Sequence, residues 1–158
     1  MKKLCLCLPR MESLNPNFKN YVQQRIAANK FMPFLGFEIT DIEAGEINGV
    51  LAFKEHHQQQ NGYLHGGITS AILDMVEGFA AYSLVREGDL VFTVEAKISY
   101  LNRGVGDVFF AKGWVIKPGK RFHFCEGEIW YLDPLTNEKI LVAKGSATMA
   151  VLPKEAIK

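Results

Sequence analysis

Cysteine is scarce in this chain. There are three in 158 residues, Cys5, Cys7 and Cys125. Three thiols cannot build a disulfide framework, and the C-x-C at the start is not a redox C-x-x-C, so an intracellular, cytoplasmic protein is expected. Long apolar runs are also missing. No segment approaches the roughly 20 residues that cross a bilayer, and no membrane partner is expected. Lys2 and Lys3 precede an apolar stretch over residues 4–8, but it is too short for a secretory signal and no small-residue cleavage site follows. Met11 is an alternative start. An excess of one charge is absent too: 18 Lys and Arg balance 17 Asp and Glu, for a net charge of +1. Nothing there favours nucleic acid. There is no internal repeat, and the only biased tract is Gln58–Gln60. Metal-ligand spacing is lacking as well. His56 and His57 are adjacent and point apart, so no metal is expected.

What remains is an ordinary globular composition, 48% hydrophobic and 22% charged, of a size for one domain. Asn15-Pro16 suits an N-cap with proline at the first helical position, and Phe18, Tyr21, Val22, Arg25 and Ile26 mark one face of a short helix to about Asn29. This helix is read as a lid or as packing, without preference. Strands are expected over residues 37–41 and 47–53 around the turn "EAGE". The tract "KEHHQQQNGY" reads as a polar loop.

A long helix follows, from near Gly67 to near Gly88. Ile68, Ile72, Met75, Phe79 and Tyr82 share one side at about 100° per residue. Leu73, Val76, Ala80 and Leu84 cover the next, and Ser70, Asp74, Glu77 and Ala81 form a narrow stripe. Well over half of the helix must be buried. The wrapper is four strands joined by hairpin signals. The first, "LVFTVEAKISYL", alternates, with Leu90, Phe92, Val94, Ala96, Ile98 and Tyr100 on one face and Thr93, Glu95, Lys97 and Ser99 on the other. The class is α+β: a long central helix wrapped by a curved antiparallel sheet of about five to six strands, plus a short N-terminal helix. The expected domain spans residues 34–153, after an extension over 1–33 and before a tail over 154–158. Such a sheet leaves open edges, and pairing with a second copy is the expected remedy.

The motif at the helix entrance carries a likeness. Gly62, His65, Gly66 and Gly67 spell G-x-x-H-G-G, and Asp74 follows nine residues after the histidine. With the strand "VEAKISYLNRG", this resembles the hotdog-fold acyl-CoA thioesterases, most closely the phenylacetyl-CoA thioesterase-like (PaaI-like) branch, over about residues 34–153. The resemblance implies hydrolysis of an acyl-CoA to free acid and CoA, without a cofactor beyond the CoA of the substrate. It also implies a homodimer with shared sites, a dimer of dimers being left open.

Roles follow residue by residue. A helix N-terminus offers unsatisfied N–H donors, so Gly66 would hold the developing oxyanion, or with Gly67 merely shape the turn. By the resemblance, Asp74 is the general base or the nucleophile; on periodicity alone it would simply face water. Glu77 does not match the family spacing and reads as structural. His65 orients the loop or the thioester, or is a satisfied half-buried histidine. Gln59 takes the place of the family's carbonyl-polarising amide. Asp-bearing relatives more often carry Asn there, and Gln accompanies Glu-bearing ones, so this chain mixes the two. Thr93 would bind the attacking water or the acid, or serve only as a strand residue. Asn61 and Gly67 are substrate-binding candidates. Lys117, Lys120 and Arg121 at the turn "KPGKR" would meet CoA phosphates, or form a solvated hairpin tip. Phe79, Tyr82, Phe92 and Trp114 would favour an aryl or medium acyl chain, or fill the core. The competing functions are a hydroxyacyl dehydratase or hydratase, and a non-catalytic acyl-CoA binding or sensing module.

Overall fold

The computed structural model describes residues 11–156; Cys5, Cys7 and the apolar stretch over 4–8 lie outside them. In chain order the elements are helices α1 (Phe18–Ala28) and α2 (Phe31–Leu35), strands β1 (Phe37–Glu43) and β2 (Glu46–Ala52), helix α3 (Gly66–Tyr82), and strands β3 (Leu90–Tyr100), β4 (Val108–Lys117), β5 (Phe122–Leu132) and β6 (Lys139–Leu152). Six strands form one antiparallel sheet in the order β1-β2-β4-β5-β6-β3. The sheet wraps α3, as the expected class requires.

The inward residues of β4 and β5 alternate as strand geometry demands: Phe109, Ala111 and Val115, then Cys125, Ile129 and Tyr131, are buried. They close on Ile72, Leu73 and Val76 of α3, each fully buried and worth about 1.5–3 kcal/mol. Close approach is made possible by a row of glycines. Gly113, Gly127 and Gly145 stand side by side on β4, β5 and β6. A Cβ on Gly113 would overlap the Val76 carbonyl group, and one on Gly145 would stand 2.6 Å from Glu77 Oε1. The helix therefore lies in a furrow that side chains would fill.

Several boundaries differ from expectation. Asn15 does not cap α1. Its Oδ1 accepts from Asn17 N at 2.8 Å, a side-chain-closed turn, and the helix begins at Phe18. The five-residue helix α2 was not anticipated; Asn29 Oδ1 accepts from Phe31 N and Met32 N and starts it. The long helix ends at Tyr82 rather than near Gly88. Ser83 stops it: its hydroxyl donates to the Ala80 carbonyl at 2.7 Å and accepts from Gly45 N at 2.7 Å. Gly88, at φ 95°, closes the next turn instead.

The polar stripe on α3 is also corrected. Glu77 and Ala81 are buried, and only Asp74 is exposed, because the sheet covers the flank that Glu77 occupies. Finally, β3 does not keep one alternation. Its pairing with β6 shifts between Thr93 and Glu95, so Val94 is an extra, bulged residue. Ahead of the bulge Val91 and Thr93 face inward; after it Ala96, Ile98 and Tyr100 do. Leu90 and Phe92 thus share the outer side with Glu95 and Lys97, contrary to the simple pattern. Among the described residues no helix is long and apolar enough to cross a membrane.

Candidate active site

Asp74 is the exposed carboxylate of α3, and the bulge in β3 turns Thr93 toward it. The Thr93 hydroxyl donates to Asp74 Oδ1 at 2.6 Å and lies 3.4 Å from Met149 Sδ. A short bond from a hydroxyl to an ionised oxygen is charge-assisted and fixes the carboxylate's rotamer. Both residues line a cavity of about 310 Å³. Met75, Phe79, Val91 and Met149 supply its apolar wall. Tyr82, Asn29 and Arg25 line it too. Of the four aromatics proposed for acyl binding, Phe79 and Tyr82 line this cavity. Phe92 is 53% exposed on the outer side of β3. Trp114 lies on the outer face of β4, 5.8 Å from Lys144 Nζ.

The helix entrance is a second cluster. His65 is the N-cap of α3, and its Nδ1 accepts from Gly67 N at 2.8 Å. That bond places the ring proton of the neutral imidazole on Nε2. Gly66 is the first helical residue, and among the described residues its N–H has no acceptor. Its carbonyl accepts from the Tyr100 hydroxyl at 3.1 Å, and the tyrosine ring packs over its Cα. Tyr100 was missed in the sequence because nothing in a strand pattern shows which residue meets a helix entrance.

The loop before it is tied down from below. His57 is fully buried; its Nδ1 accepts from Lys54 N at 3.0 Å and its Nε2–H donates to the Leu35 carbonyl at 2.8 Å. Burial holds its pKa below the usual histidine value, so it stays neutral. Its own carbonyl accepts from His65 N at 2.8 Å. Arg103 donates to the Tyr63 hydroxyl at 3.0 Å and lies over that ring. Within the loop, Gln59 Oε1 accepts from Asn61 N at 2.6 Å, closing a turn.

Within one chain, then, Asp74 and Thr93 are brought together, and His65, Gly66 and Gly67 are brought together, but the two groups are apart. Eight residues of α-helix separate Gly66 from Asp74, about 12 Å along the axis. Gln59, Asn61, His65, Gly66, Gly67, Lys117, Lys120 and Arg121 do not line the Asp74 cavity. The three cations sit at or beside the β4–β5 turn. Glu77, one turn beyond Asp74, lies beneath the site at 1% exposure, with no partner for its Oε1. Burial, then the nearby Asp74 and Glu126 carboxylates, push its pKa from near 4.5 up to about 8.

A long helix wrapped by one six-stranded antiparallel sheet is the hotdog architecture. Comparisons assign the chain more narrowly. The sequence model of the thioesterase superfamily matches residues 61–137. A solved thioesterase family protein from Silicibacter pomeroyi is 30% identical, covers 85% of this chain and 98% of its own, and superposes with a TM-score of 0.81. A 1,4-dihydroxy-2-naphthoyl-CoA hydrolase of Listeria monocytogenes is 24% identical over 76% of this chain and 94% of its own. The PaaI protein of E. coli, from the phenylacetic acid degradation operon, shares the fold at 18% identity and a TM-score of 0.76, over 89% of this chain and 97% of its own. A Saccharolobus solfataricus protein bearing an esterase name is 30% identical over 92 residues, and the match spans 65% of that protein's length. The chain belongs to the thioesterase superfamily, and its class is that of a thioesterase enzyme.

Proposed function

We propose that this protein hydrolyses an acyl-CoA thioester to the free acid and CoA, with Asp74 as the reacting group. One observation carries the reading: the only accessible acid on α3 stands at an apolar cavity and is held there by the Thr93 hydroxyl at 2.6 Å. A carboxylate in that setting takes a proton from water, or attacks the carbonyl carbon itself. Water's oxygen ends on the carbonyl carbon, the C–S bond breaks, and the CoA thiolate leaves. A thiol of pKa near about 8.5 departs readily, so no strong general acid is needed.

The oxyanion needs donors, and Gly66 N–H at a helix N-terminus is the natural one. Roughly 12 Å of helix keeps it from serving the same chain's Asp74. The reading therefore pairs each Asp74 and Thr93 with the His65, Gly66, Gly67, Gln59 and Asn61 cluster of a second copy. A homodimer, alone or doubled, satisfies this. The edge strand β3 suits such pairing, with Phe92, Val94 and Tyr100 more than half exposed along it. The Lys117, Lys120 and Arg121 turn is assigned to the CoA phosphates. A free, buried Cys125 suits a reducing compartment, and we place the activity in the cytoplasm.

The test is CoA thiol release from short, medium, long and aryl acyl-CoAs by the wild type and by Asp74→Asn. The expected loss of kcat is about 10²- to 10⁴-fold with the oligomer unchanged. Turnover indifferent to Asp74 would overturn the mechanism, and binding without turnover would make the protein a carrier of acyl-CoA.

A further inference from the structure

The cavity that holds Asp74 has a charged opposite end. Arg25 and Asn29 line it from α1 and the residue after it, beyond Gly78 and Tyr82 of α3. Asn29 is already committed to α2, since its Oδ1 accepts the first two N–H groups of that helix. Arg25 is not committed in the same way. Its guanidinium carbon lies 5.1 Å from the Tyr21 ring centroid and 5.6 Å from that of Tyr82. One N–H donates to the Tyr21 hydroxyl at 2.8 Å, and that hydroxyl donates to the Asp89 carbonyl at 2.9 Å. Two rings and a hydrogen-bonded chain thus hold the group in place. Among the described residues, no carboxylate pairs with it. The nearby Asp89 carboxylate accepts instead from Lys154 N.

A guanidinium has five N–H donors in a planar fork, and its best complement is a carboxylate held by two of them. Here the fork is half-buried, ordered in advance and facing an apolar chamber. Preordering removes much of the entropy cost of capturing a ligand. The distance also fits. Asp74 to Tyr82 is eight residues of helix, about 12 Å, and the guanidinium sits against Tyr82. A medium-length acyl chain spans that interval.

We infer that Arg25 selects acyl groups that end in a carboxylate, so that the preferred substrates are CoA half-thioesters of medium-chain dicarboxylic acids. The thioester carbonyl sits at Asp74, the methylenes lie along Met75, Phe79, Val91 and Met149, and the distal carboxylate meets Arg25. This rests on the thioesterase reading of the site. It also gives α1 a task beyond packing, with a residue outside the segment matched by the family model.

The experiment compares octanoyl-CoA with suberoyl-CoA, which share a carbon count and differ only at the far end. The wild type is expected to favour suberoyl-CoA in kcat/KM. In Arg25→Met that preference should fall by about ten- to a hundredfold, the worth of a charged hydrogen-bonded contact. In that variant kcat/KM for octanoyl-CoA should change less than that for suberoyl-CoA, and Arg25→Lys should recover part of the preference. No preference in the wild type, or an equal loss on both substrates in Arg25→Met, would overturn the inference and leave Arg25 as a packing residue. If the wild type hydrolyses neither, nor any short, long or aryl acyl-CoA, the thioesterase reading fails separately. Calorimetric affinities of the two CoA thioesters for wild type and Arg25→Met then decide the role of Arg25: tighter suberoyl-CoA binding that Arg25→Met abolishes supports it, and equal affinities refute it.

Discussion

A single hydroxyl positions the acid at the cavity mouth. Replacing Thr93 by valine keeps the shape and removes the 2.6 Å bond to Asp74. We expect Thr93→Val to lower kcat about tenfold with KM little changed; steady-state kinetics on any hydrolysed acyl-CoA would check this, and an unchanged kcat would remove Thr93 from the site. Glu77 predicts a pH effect of opposite origin. Its pKa is near 4.5 when unfolded and about 8 in the fold, raised first by burial and then by the Asp74 and Glu126 carboxylates. The folded state therefore holds a proton that the unfolded chain gives up. The stability contributed by protonated Glu77 is full below about pH 4.5 and drains away as pH rises to about 8. Glu77→Gln should flatten the melting temperature across that window and raise it at the alkaline end, which thermal melts over pH would show. Asp74, His65 and Gly66 could be singled out as candidates because the resemblance rests on a motif local to one turn and one helix. The burial of Glu77 was not, since its neighbour is a glycine row on three strands distant in sequence.

At the scale of elements, the seating of α3 on that row determines where Asp74 stands. A methyl group on Gly113 would meet the Val76 backbone, which cannot rotate away as a side chain can. Gly113→Ala should cost about 1–3 kcal/mol, and lower the melting temperature by some 2–4 °C for each of them. A calorimetric scan that leaves the transition in place would show that the helix can lift without cost. The order of elements and the hairpins were readable from periodicity and turn residues. The end of α3 was not, because Ser83 stops it through a bond to Gly45 that only folding creates. The faces of β3 were misjudged for a related reason: one bulged residue reverses the alternation, and period-two counting has no way to detect an insertion. That reversal is what turns Thr93 toward Asp74.

For the whole molecule, the decisive question is whether two chains complete one site. If they do, Asp74→Asn and a variant crippled at the helix entrance, such as Gly66→Val, should each be inactive alone. Mixed and refolded together, they should regain a measurable fraction of wild-type turnover, because half of the sites in a mixed dimer combine two intact clusters. Failure to complement, with exchange demonstrated by mass, would place the whole site in one chain. Which surface would meet a second copy was not readable from residues: nothing in one sequence states it. Only the exposed apolar residues of β3 hint at it, and they emerge after folding.

Asp74 rides on the helix that the sheet grips through its glycines, whereas Arg25 rides on a shorter helix whose buried residues are Tyr21 and Val22. The two ends of one cavity are thus carried by parts of the chain under unequal constraint. Substitutions along the eleven residues of α1 can retune what enters while the hydrolytic end is left untouched.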